Sequence, residues 1–392
     1  MNNISKPKVS VVVPNYNHAR FLRRRIESVL GQSLQDFEVI LLDDCSTDDS
    51  QSILSKYADD PRVRIDFNEK NSGTPFKQWN KGVRLARGEY VWIAESDDYA
   101  DERLLERLVA TLEAEPEVVF AYCRSWRVTA DGRLDGFADD SYMVDVDAKK
   151  WTMDYFVDGR DECRNYFVVH NIVPNASAVL FRKTVYDRVG GADETLRMCA
   201  DWKLWVAMAL TGRVAYLSEP LNYYRFHDES VRGKDKCLEV AAEESLHVIR
   251  WMQGQIAISD SVLEKSRKAH SGLWIRPVVN GRVPLERRRL ILRSAMAVDP
   301  HALRRLMWGA FLILIWGPVR VHVWHPLLDV TRPVRHALGL RQRMVRQIPK
   351  QEIVGQKEGH EALKPAHANS PELRRVERTA STHPEAGKER TR

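Results

Sequence analysis

The chain has 392 residues, of which 44% are hydrophobic and 29% charged, and its formal net charge is +6. This composition is typical of a globular protein with a large core, and it excludes a wholly disordered chain and an integral membrane bundle. The five cysteines are scattered without a CxxC pair, which argues against a disulfide framework or a zinc site and favours reduced thiols in the cytoplasm.

Short β-branched runs alternate with segments of helical period over the first hundred residues. The pattern predicts strands at 9–13, 37–42, 63–67 and 90–94, with helices between them. This alternation is typical of βαβ units and predicts an α/β domain with a mostly parallel sheet. Polar residues follow three of these strands, and in such a sheet the carboxyl ends of the strands form the ligand crevice.

The acidic run Glu95-Ser96-Asp97-Asp98 follows the fourth strand. Three ionised carboxylates so close together repel one another, which indicates a cation beside them. Mg²⁺ or Mn²⁺ is the hard cation that such oxygen ligands prefer. Asp48, by contrast, is interpreted as a simple helix cap.

The second half of the first domain is less regular. The sequence predicts a helix at 102–112, a strand at 118–122, and a polar loop or acceptor-facing excursion over 129–161. A strand at 178–181, a helix opening at Asp201 and a strand at 214–217 follow. We predict a catalytic domain at 1–233, a basic helical extension at 234–349 and a disordered tail at 350–392.

Four strings together resemble the family 2 glycosyltransferases. They are Val9-Ser10-Val11-Val12-Val13-Pro14-Asn15-Tyr16-Asn17, Asp43-Asp44-Cys45-Ser46-Thr47-Asp48, Gly88-Glu89-Tyr90-Val91 and Glu95-Ser96-Asp97-Asp98, and Asp201-Trp202 follows at a fitting distance. The resemblance covers residues 7–230. It implies a GT-A fold, a Rossmann-like mixed sheet flanked by helices.

The resemblance also implies roles for individual residues. The residues that the resemblance expects to bind the nucleotide sugar are Pro14, Asn15, Tyr16, Asp44, Asn80, Glu95 and Ser96. The metal ligands would be Asp97, Glu95 and His227, the last from the string Tyr224-Arg225-Phe226-His227, and Asp201 would be the general base. Alternatives remain for three of them: His227 as a structural histidine, Asn80 as a surface amide and Asp201 as a helix N-cap.

The chemistry of sugar transfer explains these residue types. A divalent cation neutralises the departing diphosphate, and a carboxylate takes the proton of the attacking hydroxyl. One base without a nucleophilic carboxylate fits direct displacement and therefore inversion. The prediction is a metal-dependent hexosyltransferase with a UDP- or dTDP-linked donor and a glycan or lipid-linked acceptor, in cell-surface polysaccharide or lipid-linked glycan synthesis. A catalytically silent nucleotide-binding scaffold and a nucleotidyltransferase remain as alternatives, although the latter lacks a Gly-rich phosphate loop after the first strand.

The region after residue 280 is strongly basic, with fourteen Lys/Arg against three acidic residues over 281–350. Its Trp-rich part, 306–345, is predicted to lie on an anionic membrane as a peripheral contact at the inner face; the alternative is an ordinary packed helix. The apolar run 306–316 is too short to span a bilayer. No nucleic-acid-binding motif accompanies the charge, and no signal peptide is recognised.

Overall fold

The computed structural model describes residues 6–138, 143–147, 149–227 and 237–319. Its strands are β1 Val9–Asn15, β2 Phe37–Asp43, β3 Val63–Phe67, β4 Tyr90–Ile93, β5 Tyr99–Ala100, β6 Val118–Thr129, β7 Leu134–Phe137, β8 Tyr155–Asp158, β9 Val179–Arg182 and β10 Arg213–Phe226. They form one sheet in the order β3-β2-β1-β4-β9-β6-β10-β5, with β7 on β6 and β8 on β10.

The sheet is mixed. β1 is parallel to both β2 and β4, and β10 is parallel to β6. Between these two parallel groups lies β9, antiparallel to β4 and to β6. The mixed sheet implied by the resemblance is therefore confirmed. The mostly parallel sheet that the strand pattern predicts is correct only for the first four strands.

Helices cover both faces of the sheet. They are α1 Ala19–Leu30, α2 Ser50–Ser55, α3 Pro75–Leu85, α4 Leu104–Ala114, α5 Met143–Val146, α6 Gly159–Glu162, α7 Lys183–Arg188, α8 Ala200–Ala209, α9 Cys237–Gln255, α10 Asp260–Val279, α11 Leu285–Val298 and α12 Ala302–Val319. Across the described ranges, no helix combines the length and the apolar character that a bilayer crossing requires.

Alternate residues of β1 pack into two hydrophobic cores, one on each face of the sheet. Val9, Val11 and Val13 pack with α1 and α4, whereas Val12 packs with α3 and α8. This is the period of two that a strand buried on both faces must have. Helices α9 to α12 belong to the second core, to which they contribute Leu246, Trp274 and Ile291 among others.

Two expectations about the second half of the chain were wrong. The stretch 129–161 holds β7, α5, β8 and buried Trp151 rather than a plain loop. β10 is also far longer than the predicted strand at 214–217. The predicted domain boundary near residue 233 and the predicted tail at 350–392 lie outside the described residues.

His270 of α10 fixes the helical region to the catalytic side of the core. Its ring stacks on that of Trp202 at a centroid distance of 5.5 Å, and its Nε2 lies 3.0 Å from the carbonyl oxygen of Val169. Burial, with His170 adding repulsion, lowers the pKa of His270 from 6.5 to about 3. The ring is therefore neutral at pH 7.

This burial predicts an acid-sensitive stability. Unfolded His270 takes up a proton near its ordinary pKa of about 6.5, whereas the folded ring does not until about pH 3. The stabilising contribution is therefore complete above about pH 6.5 and declines below it, by up to about 1.4 kcal/mol per pH unit. Urea unfolding of wild type and His270→Gln between neutral and mildly acidic pH is expected to show a flatter profile in the variant. Identical pH profiles of the unfolding free energy in wild type and variant would contradict this role of His270.

Candidate active site

The carboxyl ends of β1, β2 and β4 lie side by side at one edge of the sheet. The chain order of the strands reverses between β1 and β4, and such a reversal is where open α/β sheets bind ligands. β1 ends at Asn15, β2 ends at Asp43, and Glu95 follows β4 by one residue. The topology therefore places the predicted nucleotide and metal residues around one crevice.

Asn15 and Asp43 organise the bottom of this crevice. The Nδ2 of Asn15 donates to the Oδ1 of Asp43 at 2.8 Å, and the peptide N–H of Ser46 donates to the Oδ2 of Asp43. Both adjoining loops turn through the left-handed region, at Asn17 with φ 57° and at Cys45 with φ 62°. Strained backbone of this kind persists where the surroundings enforce it, and it clusters at functional sites.

Pro14 lies inside β1, paired with Leu42, and Tyr16 projects from its end with 46% of its surface exposed. The Oδ1 of Asn15 is buried and has no hydrogen-bond partner within the described residues. Asp48, interpreted as a helix cap, accepts from the peptide N–H groups of Ala19 and Ser50, the first residues of α1 and α2, although the N-cap of α2 is Asp49.

The buried carboxylate of Asp44 holds the loop between β3 and α3. Its Oδ1 accepts from the side-chain amides of Asn68 at 2.6 Å and Gln78 at 2.8 Å. Its Oδ2 accepts from the hydroxyl of Ser72 at 2.8 Å. These bonds hold residues 68–78 against the end of β2. Asp44 therefore stabilises the wall of the crevice and also faces the crevice.

Glu95 is anchored in the protein. Its Oε1 accepts from the indole N–H of Trp79 at 2.7 Å, and its peptide N–H donates to the hydroxyl of Ser177 at 3.1 Å. Burial, reinforced by the charge of Asp97, raises the pKa of Glu95 to about 8. In the metal-free protein this carboxyl therefore holds a proton at pH 7.

Asp97 meets two histidines at the mouth of the crevice. One ligand atom each from His18, Asp97 and His227 lies within 4.8 Å of the other two. The Oδ2 of Asp97 is 3.0 Å from the Nε2 of His227, and the Oγ of Ser96 is 2.8 Å from the Nδ1 of His18. Burial acts to raise the pKa of Asp97, but the hydrogen bond from His227 and the charges of both rings outweigh it and lower that pKa.

A carboxylate between two imidazoles is a set of donors that suits a divalent cation. The Nδ1 of His227 is buried and unpartnered within the described part of the chain. Glu95 lies outside this three-residue group, and its Oε1 accepts from Trp79. Asp98 faces inward instead, accepting from the peptide N–H of Arg225 with Arg25 3.9 Å away.

Asp201 occupies the first turn of α8, whose N-cap is Cys199. The predicted N-cap alternative is therefore wrong. The Oδ2 of Asp201 accepts from the side-chain amide of Asn171 at 3.0 Å, and Asp201 remains partly exposed. An ionised carboxylate has acceptor sites on both oxygens, and partial exposure keeps this one within reach of a ligand.

A chain of aromatic contacts connects α8 to the end of β4. The ring of Trp79, which donates to Glu95, lies 6.2 Å from the ring of Trp205. Trp205 is four residues after Asp201 and therefore on the same helix face. Asp201 thus lies on the face of α8 that also carries Trp205.

Asn80 is fully engaged within the protein. Its Nδ2 donates to the carbonyl of Ala192 and to Glu194, while its Oδ1 accepts from the hydroxyl of Tyr186. These bonds tie α3 to the segment after α7. The Asn80 amide thus connects two elements of the fold in this structure.

Sequence reasoning missed His18, Asn171 and Glu244 as contributors to the site. Glu244, on α9, accepts from the peptide N–H groups of Arg197, Met198 and Cys199 at 2.7, 2.7 and 2.9 Å. It thereby caps the entry to α8, directly before Asp201. Only the position of His18 immediately after Asn17 gave a signal; the other two act through long-range contacts.

Glu244→Gln is expected to lower the free energy of unfolding by about 2 kcal/mol, since an amide nitrogen replaces a charged oxygen that accepts from partly buried N–H groups. Glu243→Gln is the matched control, because Glu243 makes only a partly exposed ion pair with Arg287 and such pairs contribute little. Urea unfolding measures both. Equal stability of the two variants would contradict the capping role.

Comparison with known proteins agrees with this geometry. Residues 10–160 match the model of "Glycosyl transferase family 2". The chondroitin synthase of Escherichia coli is 24% identical over 253 residues, which cover 64% of this chain and 33% of that protein. A putative teichuronic acid biosynthesis glycosyltransferase of Bacillus subtilis, TuaG, is 36% identical over 152 residues, covering 38% of this chain and 59% of its own length. The chain thus spans less than two thirds of these relatives.

The crystal structure of Staphylococcus aureus TarS 1-349 superposes with a TM-score of 0.56 at 20% identity, covering 76% of this chain and 83% of that one. This likeness extends the shared fold beyond the matched family region. The strand strings, the crevice and the family match agree, and they identify residues 10–160 as the part of the chain that matches glycosyl transferase family 2.

Proposed function

We propose that this protein is an inverting, metal-dependent glycosyltransferase. It moves a hexosyl group from a UDP- or dTDP-linked donor to a hydroxyl of a glycan or lipid-linked acceptor. The observation that carries the proposal is the group of His18, Asp97 and His227 at the ligand end of a family 2 domain.

Asp97 and His227, together with His18, would hold the cation. Two nitrogen donors and one oxygen donor favour Mn²⁺ over Mg²⁺, which prefers oxygen ligands. When bound, the ion would neutralise the negative charge that gathers on the leaving diphosphate. Ser96, beside the Nδ1 of His18, orients that ring, and Glu95 fixes the strand end through Trp79.

The nucleotide would lie across the ends of β1 and β2. The exposed ring of Tyr16 offers a face for the base, and the orphaned Oδ1 of Asn15 offers an acceptor. Pro14 fixes the direction of the strand end. Asp44 would accept the imide proton of uracil or thymine at Oδ2, which is bonded only to Ser72. The solved relative TarS 1-349 was also crystallised with UDP-GlcNAc, which supports a UDP-linked donor.

Asp201 would act as the general base that takes the proton from the acceptor hydroxyl. The amide of Asn171 donates to the Oδ2 of Asp201 and so orients the carboxylate. No second carboxylate beside Asp201 is needed when displacement is direct, and direct displacement inverts the anomeric carbon. The names of the chondroitin synthase and of TuaG support a carbohydrate polymer as acceptor.

Incubation with a panel of nucleotide sugars and Mn²⁺ tests the proposal. Release of nucleoside diphosphate is expected, with acceptor extracts increasing it. Release of pyrophosphate would indicate a nucleotidyltransferase instead. Nucleotide binding without any release across the panel would indicate a catalytically silent scaffold.

A further inference from the structure

The outward face of α12 is apolar. Leu303, Met307, Trp308 and Phe311 keep 55%, 67%, 62% and 49% of their surfaces exposed. Their spacing of i, i+4, i+5 and i+8 places them on one side of the helix. The rings of Trp308 and Phe311 stack at 5.7 Å. An exposed cluster of this kind is unusual on a soluble surface and marks an interaction site.

Contacts on the inner side fix this orientation. Ala302 is buried. Arg305 forms ion pairs with Asp299 and Glu264, both at 2.6 Å. A Cβ at Gly309 would approach the side chain of Ile275 to 3.0 Å, so α12 lies close against α10 here. Arg305 is therefore turned toward the protein with Leu306, whereas Met307, Trp308 and Phe311 are turned away.

The surroundings of this face are positively charged. Arg304 of α12 is exposed, and the neighbouring α11 exposes Arg289 and Arg293 together with Leu290 and Met296. Within the described residues 281–319 the chain carries seven Arg against two acidic residues, Glu286 and Asp299. The partner that fits exposed Trp, Phe, Met and Leu amid arginines is an apolar layer covered by anions.

We propose that the outward face of α12, residues 303–311, binds the surface of an anionic lipid bilayer. The apolar side chains enter the boundary between headgroups and acyl chains, and the arginines of α11 and α12 contact lipid phosphates. This contact involves no residue of the proposed catalytic crevice. It therefore stands or fails independently of the proposed sugar transfer.

Sedimentation of the full chain with vesicles tests this. One set contains phosphatidylcholine alone and the other contains equal parts of phosphatidylcholine and phosphatidylglycerol. Wild type is expected to partition onto the anionic vesicles and to be released by salt. The triple variant Met307→Gln, Trp308→Gln, Phe311→Asn is expected to partition at least about tenfold more weakly. All three side chains are about half exposed or more, so folding is not at risk.

The matched control is Leu134→Asn with Met153→Gln, which removes two similarly exposed apolar side chains, 52% and 66%, outside the helical region. It is expected to bind vesicles as wild type does. Arg304→Gln is expected to weaken binding to anionic vesicles about fivefold at low salt and leave phosphatidylcholine unaffected. Nucleoside diphosphate release in solution should be unchanged in all of these variants.

Three results would overturn the inference. One is equal sedimentation of the triple variant and wild type. Another is wild-type binding that is equally strong to the neutral and to the anionic vesicles. The third is a wild type that is dimeric without vesicles, a triple variant that is monomeric, and no vesicle binding by either protein. The face would then bind a second copy of the chain.

Discussion

Asp201→Asn is expected to lower kcat by a factor of about 10² to 10⁴, the range that a general base contributes. Asparagine has nearly the same shape and still accepts the bond that Asn171 donates to the residue, but it cannot take a proton from the acceptor hydroxyl. Nucleotide binding should therefore be retained. Initial rates of nucleoside diphosphate release and calorimetric titration with UDP measure the two effects separately.

Asp187→Asn is the matched control for this substitution. Asp187 is another aspartate of the same domain, on α7, where it forms a partly exposed ion pair with Lys183 at 2.7 Å. Its replacement is expected to leave kcat unchanged. A kcat of Asp201→Asn within a factor of about two of wild type would remove Asp201 from the reaction.

Asp97→Asn is expected to abolish most Mn²⁺ binding and, with it, most sugar transfer. Removing a direct ligand should weaken metal affinity by more than the roughly 10- to 100-fold typical of a supporting residue. His18→Gln and His227→Gln are expected to weaken Mn²⁺ binding as well, since each removes one nitrogen of the three-residue group. Electron paramagnetic resonance of free Mn²⁺ gives the affinity directly, independent of activity.

His301→Gln is the control for the metal series, because His301 is exposed at the start of α12 and far from the group in sequence. EDTA should stop wild-type turnover, and added Mn²⁺ should restore it. Unchanged Mn²⁺ affinity in both Asp97→Asn and His227→Gln would show that the cation binds elsewhere or that none is used.

The first four strands could be predicted because each is a short run rich in β-branched and aromatic residues. β3 matches its predicted bounds, and β1 extends the predicted 9–13 by two residues. β10 could not be predicted, because Glu219 and Pro220 interrupt its apolar pattern. Register shifts on either side of Pro220 allow the strand to continue, and such bulges depend on the partner strand.

The site could be predicted where its functional residues belong to short sequence motifs. Asp97 and His227, both predicted as metal ligands, lie close enough together to hold one ion, and their role stays a prediction. Glu95, expected beside them, instead bonds Trp79, because a neighbouring indole competes for its carboxyl group. His18 joins the group only because the loop after β1 brings it to Ser96. A contact across 78 residues leaves no signal in local periodicity.

A crystal structure with Mn²⁺ and a UDP-sugar tests the central claim most directly. We expect anomalous density for manganese between His18, Asp97 and His227, with the anomeric carbon of the donor on the side of the ion that faces Asp201. Manganese bound away from these three side chains, or a donor sugar with no open path to the carboxylate of Asp201, would contradict the account.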